Sequence, residues 1–113
     1  MKIITDVITT AELHQMAAGM FGDFVKAVVD IDRNFLAVDA ELHADLEALC
    51  LDQGSKQQNL WGINLYPAMP GDGFVEFDSM INMRPSQGNC TRSVEDEEVR
   101  QRIIALVMKR VKA

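Results

Sequence analysis

Apolar residues recur at helical spacing near the start of the chain. Leu13 and Met16 belong to a run with the period of an α-helix, which predicts an amphipathic helix over about residues 10–20. Thr9 and Glu12 have the spacing of a capping box, in which each side chain accepts a hydrogen bond from the other residue's main-chain N–H. We therefore expect the helix to begin immediately after Thr9.

The C-terminal segment predicts a second helix, over about residues 94–111. Val99, Ile103 and Val107 would lie on one side of it and form an apolar stripe. Acidic residues crowd its first turn and basic residues crowd its last turn, which is the distribution that the helix dipole favours. Ser93 is the N-cap residue that this pattern predicts.

Several other stretches are typical of strands. Residues 24–32 and 35–38 are rich in β-branched and other apolar residues, and the short polar turn between them predicts a hairpin. Two more strands are predicted at 60–66 and 74–83, on either side of a loop rich in Pro and Gly. A short strand or extended arm is predicted at 2–7.

Residues 41–51 fit two patterns. Leu42, Leu46 and Leu49 have helical spacing, and Ala, Leu and Glu all favour helices. The same stretch also alternates apolar and polar residues, which is the period of a strand. The turn signal at 52–55 and the strand predicted after it favour a strand that pairs with its successor in a hairpin.

These elements predict an α+β fold. We expect a mostly antiparallel β-sheet with two helices, about 10–20 and 94–111, packed on one face. The chain has 113 residues, and a chain of this length forms a single core. We therefore interpret residues 1–113 as a single domain.

Charge narrows the classes of partner. The net charge is −6, and residues 23–52 alone carry eight acidic and two basic side chains. Such a surface repels phosphate backbones, so we expect no nucleic-acid binding. The absence of a long apolar run predicts no membrane span, and the polar N-terminus does not resemble a signal peptide, so a cytoplasmic location is expected. A solvated acidic surface that maintains solubility is the simplest alternative to a site for a cation or a basic partner.

The two cysteines, Cys50 and Cys90, are far apart and do not have the spacing of a zinc site. Cys50 lies in an apolar stretch and is expected to pack as a small buried residue. Cys90 lies in a polar loop. We predict free thiols and no cofactor.

His43, Asp45 and Glu47 form the first candidate site. On a strand these side chains point to one face, where an imidazole and two carboxylates could bind a divalent metal or transfer protons. A helix would keep His43 and Glu47 adjacent but turn Asp45 about 200° away from His43. A solvated sheet face is the alternative interpretation.

The second candidate site comprises Asp78, Asn82, Arg84 and Gln87, to which Asn64 is added if the two strands pair in suitable register. Arg84 could bind a carboxylate or phosphate through its planar fork, and the amides could orient a ligand. The alternative is an ion pair between Arg84 and Asp78, followed by a turn whose polar side chains satisfy main-chain groups.

The only tryptophan, Trp61, precedes Gly62 in a predicted strand. A glycine inside a strand permits close approach of another backbone or of a ligand. A Trp on a core-facing strand more often serves packing than recognition.

Five sequence blocks together resemble a known family. They are Glu-Leu-His-Ala-Asp at 41–45, Gly-Ser-Lys-Gln at 54–57, Leu-Trp-Gly-Ile-Asn-Leu-Tyr-Pro at 60–67, Phe-Asp-Ser-Met-Ile-Asn at 77–82 and Arg-Pro-Ser-Gln-Gly-Asn at 84–89. The chain is similar over nearly its whole length to a family of small, mainly bacterial, single-domain proteins of unknown function. The resemblance implies no activity, but it implies that the polar blocks belong together.

The leading functional hypothesis is a small cytoplasmic protein that binds a small polar ligand or divalent metal over the polar face of its sheet. The candidate ligand-binding residues are His43, Asp45, Glu47, Asn64, Asp78, Asn82, Arg84 and Gln87. One alternative is a protein-interaction module with an acidic surface, which could also form a homodimer through a sheet edge. A second alternative is a hydrolase or isomerase with His43 as general base.

Overall fold

A computed structural model describes all 113 residues of the chain. It has an α+β fold built on a five-stranded antiparallel sheet, with a separate pair of short parallel strands. The three helices are α1 (Thr10–Ala18), α2 (His43–Asp52) and α3 (Glu97–Arg110). The strands are β1 (Lys2–Ile4), β2 (Ile8–Thr9), β3 (Val25–Asp30), β4 (Phe35–Val38), β5 (Leu60–Leu65), β6 (Val75–Glu76) and β7 (Val111–Lys112).

The strand order of the sheet is β1-β4-β3-β5-β6, which places β3 at its centre. The longest ladder joins β3 to β5 and runs from the Val25–Leu65 pair to the Asp30–Leu60 pair. β6 pairs with only two residues of β5, so most of the outer edge of β5 has no strand beside it. Strands β2 and β7 form the parallel pair.

Both faces of the sheet are covered. Alternate residues of β3, β4 and β5 point to opposite faces, as the pleat requires. One face packs against α1 and α3 in a core of 17 buried residues. The other face packs against α2 in a smaller core of Val28, Phe35, Ala37, Leu46, Cys50 and Leu60.

The α+β class and the two predicted helices are confirmed, and both of those helices contact the same core. The predicted number of helices was wrong, because the chain has three where two were expected. Residues 41–51 were predicted as a strand, but His43–Asp52 forms α2, the helix that was not predicted. It covers the opposite face of the sheet. His43, Leu46 and Cys50 are its buried residues, at helical spacing. Both periods fit this segment, and its high helix propensity decided the outcome.

The strand predicted over residues 74–83 was also wrong. Only Val75–Glu76 is a strand, and Met80–Asn82 forms a 3₁₀ turn. The Ser79 hydroxyl accepts a hydrogen bond from Ile81 N–H at 3.3 Å and so caps this turn. Local side-chain bonds of this kind compete with a strand ladder.

The predicted N-cap is correct for α1 and wrong for α3. The predicted capping box of α1 is confirmed, since Thr9 and Glu12 accept reciprocal main-chain hydrogen bonds. Helix α3 is capped by Asp96, whose carboxylate accepts from the N–H groups of Glu98 and Val99. The prediction that Ser93 would be the cap was therefore wrong.

Both cysteines are free thiols, as predicted. Cys50 is fully buried, and this burial raises the pKa of its thiol to about 11, with smaller contributions from Asp30 and Glu47. It is therefore an uncharged packing residue at neutral pH. Cys90 is exposed.

None of the three helices combines the length and the apolar character that crossing a membrane requires.

Gly62 of β5 allows the close approach that the sequence predicted. A Cβ atom at this position would lie 2.5 Å from both Cβ and Oγ of Ser79. We expect Gly62→Ala to lower the free energy of unfolding by about 2 kcal/mol, because overfilling a packed site forces neighbouring atoms to shift. Urea unfolding measures this change.

Gly19→Ala is the matched control, because a Cβ there would meet only atoms at ordinary contact distance and the residue has a negative φ. Adding Ser79→Gly to Gly62→Ala should restore part of the lost stability. A Gly62→Ala protein as stable as the wild type would contradict this packing.

Candidate functional site

The carboxylate of Glu76 is held in place by two side chains of the neighbouring strand. Asn64 lies opposite Glu76 in the ladder between β5 and β6 and donates a hydrogen bond from Nδ2 to Glu76 Oε1 at 2.8 Å. The Tyr66 hydroxyl donates to the same oxygen at 3.2 Å. Neither bond uses Oε2, so Glu76 is fixed through one oxygen and keeps the other free to accept.

The donor state of Tyr66 is reinforced by its surroundings. Burial raises the pKa of the Tyr66 phenol, and the adjacent Glu76 carboxylate raises it further. The hydroxyl therefore keeps its proton at neutral pH. Its hydrogen bond in turn keeps Glu76 oriented as an acceptor.

Glu76 lines the largest of the five principal cavities, a surface cleft of about 650 Å³ that we call the acidic cleft. Clefts of this volume are typical of small-ligand sites. Three carboxylates and no lysine or arginine line it. The full lining is His14, Gly22, Asp23, Tyr66, Ala68, Met69, Asp72, Gly73, Val75 and Glu76.

Aromatic rings stand beside this cleft. Phe21 stacks on Phe24 with ring centroids 4.7 Å apart, and Phe24 lies 5.3 Å from the ring of Tyr66. The Lys26 ammonium lies over the Phe21 ring, 5.0 Å from its centroid. The cluster therefore already holds one cation against an aromatic face.

The structure separates the residues that the strand interpretation placed together. His43 begins α2, and its Nε2 lies 2.8 Å from the main-chain carbonyl oxygen of Ile63. Burial lowers the pKa of His43, so the ring is neutral at pH 7 and Nε2 is the donor to this carbonyl. His43 lines none of the five principal cavities.

The set of His43, Asp45 and Glu47 on one strand face does not exist, because α2 turns Asp45 out into solvent. Glu47 stays half-buried and close enough to Arg84 to affect its titration. The helical alternative therefore describes these three residues correctly.

Asn82 is fully buried and binds the outer edge of β5. Its Oδ1 accepts from Gly62 N–H at 2.8 Å, and its Nδ2 donates to Gly62 O at 2.9 Å. The same Nδ2 also donates to Arg92 O at 2.9 Å. Asn82 thus replaces a neighbouring strand at Gly62, which is a structural role.

Arg84 and Gln87 also bind main-chain groups. Arg84 donates to the carbonyl oxygens of Gln57 and Leu60, and its guanidinium lies 4.2 Å from the centre of the Trp61 ring. Gln87 donates to Gln58 O at 2.8 Å. Trp61 packs in the larger core, as predicted.

Asp78 pairs with Arg92 at 2.6 Å, so the alternative interpretation, an ion pair between Asp78 and Arg84, was wrong. Asp78 does lie near Asn64, whose Nδ2 is 3.4 Å from its main-chain oxygen, and near enough to His43 to affect its pKa. The structure therefore gathers His43, Asn64 and Asp78 and leaves Arg84 elsewhere.

The residues of the acidic cleft were missed by the sequence analysis. The two strands flanking the Pro- and Gly-rich loop form a hairpin, and its register alone would have placed Glu76 opposite Asn64. His14 and Asp23 come from a distant part of the chain, and no local pattern connects them to this hairpin.

The model of DUF5674, a family of proteins of unknown function, matches residues 2–110. The chain belongs to this family. The resemblance found from the five sequence blocks is thereby confirmed at the level of the family. Comparison with curated proteins and with solved structures gives no match.

Replacing Asn82 should lower the stability of the fold substantially. Asn82→Ala leaves the N–H and C=O of Gly62 without partners at a buried strand edge, and each such group costs about 1–3 kcal/mol. We expect a loss of about 3 kcal/mol in the free energy of unfolding, measured with urea. Gln87→Ala, which removes one exposed bond, is the control and should cost under about 1 kcal/mol. Equal losses of stability in the two variants would show that the two hydrogen bonds between Asn82 and Gly62 do not hold the edge of β5.

His43 should make the fold sensitive to mild acid. Its pKa is lowered in the folded protein, so the unfolded chain binds the proton first as pH falls below about 6.5, and stability decreases. His43→Gln keeps a donor for Ile63 O but does not titrate. Between pH ~7.5 and ~5.5 its free energy of unfolding should fall less than that of the wild type. A pH dependence of stability in His43→Gln equal to that of the wild type would disprove the assignment.

Proposed function

We propose that the protein binds a small organic cation, an ammonium or guanidinium group on a compact apolar body, in the acidic cleft. One observation carries the proposal. Glu76 is fixed through Oε1 by Asn64 and Tyr66 and has a free oxygen at a cleft of about 650 Å³. A pre-oriented acceptor on paired strands needs no reordering when a ligand binds.

The charge of the cleft supports a cation. Asp23 and Asp72 share the cleft with Glu76, and no lysine or arginine lines it. The net charge of −6 favours the approach of a positively charged ligand. The Lys26 ammonium over the Phe21 ring is an example, within this chain, of a cation held against an aromatic face.

The arrangement of the carboxylates favours an organic cation over a metal ion. A metal needs several ligands converging at about 2–2.6 Å. No group of three or more His, Cys, Asp or Glu side chains has such an arrangement. An ammonium or guanidinium ion carries its donors on a larger body and can be met by carboxylates spread over the wall of a cleft.

The remaining lining supplies apolar contacts. Ala68, Met69 and Val75 contribute carbon surface beside the polar groups. Small-ligand sites commonly combine such surface with a few oriented polar groups. The proposal keeps the expectation of a small polar ligand and moves the site from the face of the sheet to the hairpin of β5 and β6.

His43 has no part in this proposal. Its Nε2 is committed to a main-chain carbonyl, and the ring lines none of the cavities described. We therefore propose binding and assign no catalytic step to the cleft.

Calorimetric titration with Nα-acetyl-argininamide tests the proposal. We expect saturable binding to the wild type and binding about 10–100 times weaker to Glu76→Gln, since hydrogen bonds to charged groups contribute about 1.5–3 kcal/mol. The amide oxygen of the new residue can still accept from Asn64 and Tyr66, so the variant should fold.

Glu98→Gln is the control, because it removes one negative charge from an exposed position of α3 outside the cleft. It should bind the probe as the wild type does. Absence of binding at ~10 mM probe, or equal weakening in both variants, would overturn the proposal.

A further inference from the structure

Val75 presents a free strand edge. β6 is the last strand of the sheet, and Tyr66 N–H donates to Phe74 O at 2.9 Å. Main-chain groups of successive residues in an antiparallel strand point to opposite sides. Those of Phe74 and Glu76 therefore face β5, whereas the N–H and C=O of Val75 face away from the sheet.

Val75 also lies between two concavities. It lines the acidic cleft and, in addition, a groove of about 380 Å³ between β6 and α3. We call the second concavity the apolar groove. Its apolar lining is Phe74, Val75, Phe77, Ile104 and Met108. Met108 is 61% exposed, so much apolar surface there is uncovered.

The free edge, the cleft and the groove together fit an extended peptide. A peptide strand beside β6 would form hydrogen bonds with the N–H and C=O of Val75, as in strand addition to a sheet edge. Its side chains would alternate between the face of Val75 and the face of Glu76. One set would enter the apolar groove and the other would meet the carboxylates.

Charge decides what kind of peptide fits. A second copy of this chain docked on the same edge would bring two acidic clefts together. Like charges that face each other on paired strands destabilise the pairing. A basic side chain opposite Glu76 would instead be attracted by Glu76 and Asp72. The complementary occupant alternates apolar and basic residues.

We propose that the acidic cleft is one part of a docking site for an extended segment of a partner protein in which a basic residue lies between two large apolar residues. This inference rests on the proposed function, because the basic side chain is the organic cation. The segment pairs with the outer edge of β6 at Val75, and its apolar side chains enter the apolar groove.

Fluorescence anisotropy with labelled acetyl-Gly-Leu-Arg-Leu-Gly-amide tests the docking site. We expect it to bind at least tenfold more tightly than Nα-acetyl-argininamide, which competes for the cleft alone. The isomer acetyl-Gly-Arg-Leu-Leu-Gly-amide breaks the alternation and should lose that gain. Met108→Gln should weaken the binding of the alternating peptide and leave the affinity for acetyl-argininamide unchanged.

Backbone methylation separates strand pairing from ordinary side-chain contact. The N–H groups of the two leucines would face β6, and that of the arginine would face away. N-methylation of the leucines should therefore abolish the tenfold gain, whereas N-methylation of the arginine should preserve it. Equal effects of the two modifications would overturn the inference.

The outcomes distinguish the two proposals. If acetyl-argininamide binds through Glu76 but the alternating peptide binds no more tightly, the docking inference fails and the proposed function stands. If neither probe binds, both fail. Dimerisation of the protein that is abolished by Val75→Pro, measured by sedimentation, would also overturn the inference, because a second copy would then occupy the edge.

Discussion

Side-chain amides complete the outer edge of β5. On that edge a neighbouring strand pairs with only two residues of β5, and Asn82 binds the N–H and C=O of Gly62 where the strand is missing. Asn64 acts two residues further on, where it holds the Glu76 carboxylate. Buried main-chain groups must find partners, so the irregular chain after β6 depends on these bonds.

This edge explains why the most conspicuous polar residues in the sequence do not form a site. Asn82, Arg84 and Gln87 satisfy main-chain groups of residues 57–62, and His43 does the same for Ile63. Their hydrogen bonds are used within the fold. The acidic cleft has a free acceptor on Glu76, an exposed residue that Asn64 and Tyr66 hold in place.

Local chemistry made part of the structure predictable. The capping box at Thr9, the hairpin of β3 and β4 and the stripe of α3 each depend on residues close in sequence. α2 was mistaken for a strand because its residues satisfy both periods. The strand predicted after Glu76 failed because hydroxyl and amide side chains bind the backbone there. The acidic cleft was not predictable, since His14 and Asp23 reach it only through tertiary packing.

The central claim is that Glu76, held by Asn64 and Tyr66, makes the acidic cleft a receptor for a cationic group. Two-dimensional amide NMR during titration with Nα-acetyl-argininamide tests it most directly, because it locates the ligand without a substitution. The account predicts that the largest shift changes fall on Asp23, Tyr66, Asp72 and Glu76 and saturate together. Changes centred on His43 and Arg84, or none at all, would contradict it.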